Sequence, residues 1–216
     1  MNNYWLNTDK YTIPELILFG IGAIFWVLCY AAVIRGIIKY KFVGISAGVV
    51  GANIAWEFLW AFIFKQDMGM VLQIGYYAWF FADVFIVYST FKYGYKQVGE
   101  KLRSRFNLMF GFSILAWLVI LYFFIKDGYD NSIGANTAYA IQLVISITCL
   151  IMLINNLQEK GISYWAAWFR MLGSLFCGIM IISHWPTNHW IISMVIIYMM
   201  IDIYYLVIAT KYRIKA

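Results

Sequence analysis

Charge is what this chain lacks most. Only 12% of its 216 residues are Asp, Glu, Lys or Arg, against 64% hydrophobic, and the mean hydropathy is +0.76. Soluble domains carry roughly 25% charged residues, so a water-facing surface cannot be built here and the chain is an integral membrane protein. Proline is almost absent: Pro14 and Pro186 stand at the ends of apolar runs and none interrupts one. The three cysteines, Cys29, Cys149 and Cys177, fall inside apolar runs without paired or metal-type spacing, which excludes a disulfide framework and leaves small packing residues. Several membrane chemistries are missing their residues as well. The last apolar run has no lysine for a retinal Schiff base, and there is no His-Glu-x-x-His, no Gly-x-Ser-x-Gly within a span and no Asp-rich pair to hold magnesium against a diphosphate.

What is present is a series of long apolar runs. At 1.5 Å per helical residue, about 20 residues cross ~30 Å of hydrocarbon. Runs of that length lie at about 14–38, 42–64, 70–91, 107–125, 135–157, 163–183 and 190–210. The reading is all-α, one seven-helix transmembrane domain over residues 1–216. Barrel strands are excluded, because they would alternate over ~10 residues. The first 13 residues are polar and the first span is full length, so no cleavable signal peptide is expected.

The net charge of +6 follows topology. Arg35, Lys39, Lys41, Lys92, Lys96, Lys101, Arg103, Arg105, Lys160, Lys211, Arg213 and Lys215 fall on one side, against Lys10, Lys65 and Lys126 on the other. The positive-inside rule then predicts an N-terminus outside and a C-terminus in the cytoplasm. No charge remains to suggest nucleic acid, and nothing points to an obligate protein partner. The segment from Lys92 to Arg105 reads as a solvated loop on the anionic leaflet. His184 and His189 flank Pro186 with no acid or cysteine adjoining, which reads as an interfacial aromatic turn between helices 6 and 7.

One internal correspondence stands out. Asp83 is followed nine residues later by Lys92-Tyr93, and Asp202 nine residues later by Lys211-Tyr212. An offset of 119 would relate helices 1–3 to helices 5–7 as parallel repeats with helix 4 as linker, a 3+1+3 design; so short a pattern also arises by chance.

Four charged groups sit within the spans: Glu57, Asp83, Arg170 and Asp202. A charge there costs about 2.5–3.5 kcal/mol by insertion scales and asks for a partner, a wet cavity or chemistry. Asn53 and Glu57, four apart, share one helix face, and Trp56 and Trp60 form a neighbouring pair. Trp79 and Tyr76 precede Asp83 by one and two turns; Tyr198 precedes Asp202 and Tyr205 follows it. Helical rise puts Arg170, Asp83 and Asp202 about 10–12 Å from the cytoplasmic side and Glu57 about 22 Å in. One arginine thus faces two aspartates. An Asp83–Arg170 clamp is the favoured pairing, which leaves Asp202 as the candidate proton donor. Glu57 is the acid expected to lack an ionic partner.

The motif Asn53-x-x-Trp56-Glu57, the seven-helix layout and an acid centred in the last helix resemble the integral-membrane terpene cyclases of fungal meroterpenoid and indole-diterpene pathways. The resemblance implies that Glu57 and Asp202 are the catalytic acids. It also implies proton-initiated cyclisation of a polyprenyl chain, usually at a terminal epoxide, without metal, cofactor or loss of diphosphate. The residues suit that chemistry independently: a carboxylic acid kept neutral by burial, aromatic faces for carbocations and a dry cavity. Asn53, Trp56, Trp60, Tyr76, Trp79, Asp83, Arg170 and Tyr198 are the expected lining for a lipid-like prenylated substrate. The composition, rich in Lys, Asn and Ile, suggests a bacterial inner membrane instead of a fungal one. Two other readings compete: a small proton-coupled transporter of 3+1+3 design, and a structural subunit whose buried charges all pair and leave no cavity at Glu57.

Overall fold

The computed structural model describes residues 5–156 and 161–212; Lys160, Arg213 and Lys215 of the basic side lie outside them. Seven main helices follow one another: α1 Ile13–Tyr40, α2 Ala47–Phe58, α3 Met70–Tyr93, α4 Phe106–Lys126, α5 Ala135–Asn155, α6 Tyr164–His184 and α7 His189–Lys211. No strand occurs among the described residues. Among the described residues six helices are long and apolar enough to cross a membrane, and α2 with its continuation, Ala47–Ile63, is a shorter apolar helix.

The expected second span, 42–64, is therefore too long at its start. Hydropathy alone joins the apolar residues Phe42 and Val43 to the helix, but the backbone over 42–46 is not helical. Its backbone groups are served by Gln97, whose Nε2 donates to the Val43 and Ile45 carbonyls while its Oε1 accepts from Ala47 N–H. Non-helical backbone at such a position persists only when protein groups satisfy it. At its other end α2 widens into a π-helical turn, Leu59–Ile63. Carbonyls freed there, those of Trp60 and Ala61, accept from Gln73 of α3.

α1 starts where Pro14 and Glu15 favour a first turn. The Glu15 carboxylate accepts from both the Thr12 N–H and its hydroxyl. α1 packs most closely on α6, at Gly22 and Gly173. A Cβ on Gly22 would approach the Gly173 carbonyl to 2.9 Å, so side-chain-free surfaces set the spacing of this crossing.

The helices close into a ring in which the neighbours run α1, α6, α7, α5, α2, α3 and back to α1; α4 stands outside it against α2. Among ring neighbours α1 and α3 touch least. The end of the bundle that carries the chain start is closed by a clasp, in which Asp67 accepts from Lys10 and from Tyr11 and the Asn7 amide donates to the Asp67 carbonyl. Tyr11 stacks on His184 with ring centres 4.5 Å apart, and His184 Nδ1 lies 3.2 Å from Glu15. His184 thus packs into the clasp beside an aromatic ring and a carboxylate.

Candidate active site

Glu57, Asp83, Arg170 and Asp202 are all buried. Glu57 lines one of two cavities inside the ring, Asp83 and Arg170 line the other, and Asp202 lies against Arg170. The upper, nearer the clasp, has a volume of about 140 Å³ and is walled by Phe19, Trp26 and Tyr30 of α1, Asn53, Trp56 and Glu57 of α2, and Tyr76 and Trp79 of α3. α5 contributes Tyr139, Ile141, Gln142 and Ile145, and α6 Ser174, Cys177 and Ile181. The lower, of about 60 Å³, is bounded by Asp83, Arg170, Tyr205 and Cys149, and shares Trp26, Tyr30, Asn53 and Ile145 with the upper.

The aromatic wall of the upper cavity is fixed by polar bonds at its edge. Trp56 Nε1 donates to Thr137 Oγ1 at 2.8 Å, and Thr137 in turn bonds Asp130 in the loop before α5. Tyr76 donates to the Ile133 carbonyl and meets Trp56 edge-on, with centroids 5.3 Å apart. Trp79 extends the wall, its ring centre 6.0 Å from that of Tyr76. Asp130 anchors the loop by accepting from the Asn131 and Asn136 N–H groups. Burial raises its carboxyl above the ordinary range against those bonds. Asp67 goes the other way: burial works to raise it, but bonds from Lys10, Tyr11 and Ser132 outweigh that and hold it below its usual value.

Glu57 Oε1 accepts from Tyr30 at 2.7 Å, and its Oε2 has no partner among the described residues. Asp83 neighbours both Glu57 and Tyr30. Arg170 does not take Asp83. Its Nη2 donates to Asp202 Oδ1 at 2.7 Å, which reverses the expected clamp. The reason is position in the ring: α6 and α7 are neighbours, whereas α1 stands between α6 and α3. Arg170 also lies over the Tyr205 ring, 5.3 Å from its centre. Asp202 is thus the paired aspartate. A cavity at Glu57 and its unpartnered oxygen run against the reading in which all buried charges pair.

Of the expected lining, Asn53, Trp56, Glu57, Tyr76 and Trp79 meet in the upper cavity, and Asp83 and Arg170 in the lower. Trp60 and Tyr198 stand behind the walls. Trp60 packs on Trp56 and against Gly134, whose φ of +74° and closeness to the indole leave no room for a side chain. Tyr198 donates to the Ser174 carbonyl. Sequence reasoning missed Tyr30, Trp26 and Gln142. Tyr30 and Gln142 are mid-span polar groups, the signal that singled out Glu57.

Comparison with known proteins gives a consistent answer. The profile of the Pyr4-like transmembrane terpene cyclases matches residues 9–214. The chain is 32% identical to the Pyr4-family terpene cyclase mfmH of Annulohypoxylon moriforme over 70% of its own length and 63% of that protein's. It is 26% identical to the terpene cyclase cle7 of Aspergillus versicolor over 79% and 73%, and 25% identical to the asnovolin H synthase nvfL of Aspergillus novofumigatus over 83% and 78%. The chain thus spans less than two thirds of the mfmH protein. These relatives are fungal, so the bacterial inner membrane suggested by composition gains no support. No solved structure matches the chain.

Proposed function

Because the chain belongs to the Pyr4-like transmembrane terpene cyclases, we propose that it cyclises a polyprenyl chain, epoxidised at its terminus, with Glu57 as the proton donor. The observation that carries this reading is the unpartnered Glu57 Oε2 at a cavity walled by Trp26, Trp56, Tyr76 and Trp79. A neutral Glu57 gives its proton to the epoxide oxygen as the C–O bond opens, and the ring faces lie where the positive charge moves along the chain. The closing cation loses a C–H proton to water. No metal or cofactor takes part in this proposal.

In this proposal Asp202 has a positioning role and not the catalytic one that the resemblance implies. Asp202 acts through Arg170, which it holds at 2.7 Å, and so fixes the floor of the lower cavity. The upper cavity, at about 140 Å³, is close to the size that admits one benzene ring. A prenyl chain would therefore enter from the lipid by parting a seam of the ring, and we place its entry at α1–α3, one of the two loosest.

The proposed orientation keeps the N-terminus outside and the C-terminus in the cytoplasm. The neighbour order supports the 3+1+3 repeat: advancing three places around the ring carries α1 to α5, α6 to α2 and α7 to α3. A proton-coupled carrier would share that architecture, and gradient-driven uptake into proteoliposomes would favour it. The deciding experiment incubates purified protein in detergent, with no gradient, with epoxidised prenyl substrates and identifies products by mass spectrometry. Wild type forms cyclic isomers and Glu57→Gln forms none; full activity of a folded Glu57→Gln variant overturns the assignment.

A further inference from the structure

We infer that Tyr30 and Asp83 form a proton relay that recharges Glu57 from the lower cavity between turnovers. This rests on Glu57 as the donor of the first proton. Three observations converge on it. Tyr30 belongs to the walls of both cavities. Its hydroxyl already donates to Glu57 at 2.7 Å, and the Asp83 carboxyl neighbours the same hydroxyl. Asp83 Oδ2 and Arg170 Nε, both on lower-cavity residues, have no partner among the described residues. A space of about 60 Å³ bounded by such groups has the room and the polar partners that a bound water needs. The upper cavity is mainly aromatic and aliphatic. It too carries polar atoms without a partner among the described residues, Glu57 Oε2, Gln142 Nε2 and Ser174 Oγ, and Tyr30 is the one phenol in the walls of both cavities.

The need for a relay comes from the balance of protons. When Glu57 protonates the epoxide oxygen it becomes a carboxylate, and the C–H proton of the closing cation leaves to water. The next turnover requires Glu57 to be neutral again. Asp83 in its acid form gives its proton to the Tyr30 oxygen as the Tyr30 O–H passes its own to Glu57. Asp83, now ionised, takes a proton from water in the lower cavity. Each step moves one proton, and the net reaction remains an isomerisation. Tyr30 need not touch substrate, so it is a positioning and relay residue.

The test is the time course of product formation with substrate in excess over enzyme. Wild type gives a linear course. Tyr30→Phe and Asp83→Asn are expected to give a burst of about one product per folded enzyme, followed by a steady rate at least tenfold lower. A purely structural defect would shrink the active fraction without creating two phases. Linear courses near the wild-type rate in both variants overturn the relay, and would mean that Glu57 recovers its own proton from the closing cation. Glu57→Gln separates the two ideas: no burst supports Glu57 as donor whatever Tyr30 does, while undiminished turnover removes the donor assignment itself.

Discussion

Arg170 and Asp202 meet at 2.7 Å in a part of the molecule that both side chains share with almost no solvent. Removing one member of a buried pair leaves an uncompensated charge and typically costs about 3–5 kcal/mol, whereas replacing both by apolar residues is often neutral. Asp202→Ala is therefore expected to destabilise the protein by that order and to abolish activity through loss of folded enzyme. Arg170→Met combined with Asp202→Leu should recover the thermal midpoint and at least a tenth of the cyclisation rate. Thermal unfolding in detergent and product assays on the same preparations check this. A stable double variant with no activity would return Asp202 to the role of proton donor. Tyr30 makes the complementary point about Glu57: the acid has no ionic partner among the described residues, but it does have a phenol.

At the scale of elements, the loop before α5 governs the aromatic wall. Thr137 stands in the first turn of α5, bonded to Asp130 behind it and accepting from Trp56 in front. Thr137→Val keeps the side-chain volume but removes both bonds, freeing the indole to turn. Because small misplacements at a reacting centre can cost up to about 10²-fold, kcat is expected to fall at least tenfold while the protein remains folded. Steady-state kinetics alongside tryptophan fluorescence anisotropy would check it; unchanged kcat with a mobile Trp56 would show that the wall tolerates the loss. The start of α2 makes a second point. Phe42 and Val43 have helix-like hydropathy, yet their segment is not helical, and Gln97, more than fifty residues away, takes up its backbone groups. No window of sequence around residue 42 contains that information.

At the scale of the molecule, the basic residues lie where α1, α3 and α7 end, and the Lys10–Asp67 clasp closes the opposite end. This asymmetry leads us to expect a cytoplasmic C-terminus. A reporter that fluoresces only in the cytoplasm should be bright when fused after Ala216, and one that is active only outside should be silent there; the reverse pattern would invert the proposed topology. The ring makes the site possible, since it brings α1, α2, α3, α5 and α6 around one cavity while α4 stays outside.

The class of the molecule, the approximate positions of its spans and the identity of its buried acids are legible in the residues alone. Those follow from the cost of placing polar groups in hydrocarbon, a property of each segment in isolation. The sequence also points to Asn53, Trp56 and Glu57 as one unit, because helical spacing alone puts them on neighbouring positions. Which aspartate Arg170 holds, the bond from Tyr30 to Glu57, and the place of Trp60 and Tyr198 behind the walls emerge from helix packing. Pairing of that kind depends on which helices stand next to each other, and depth along a helix says nothing of its neighbours: Asp83 and Asp202 were equivalent in depth, and the order of the ring separated them.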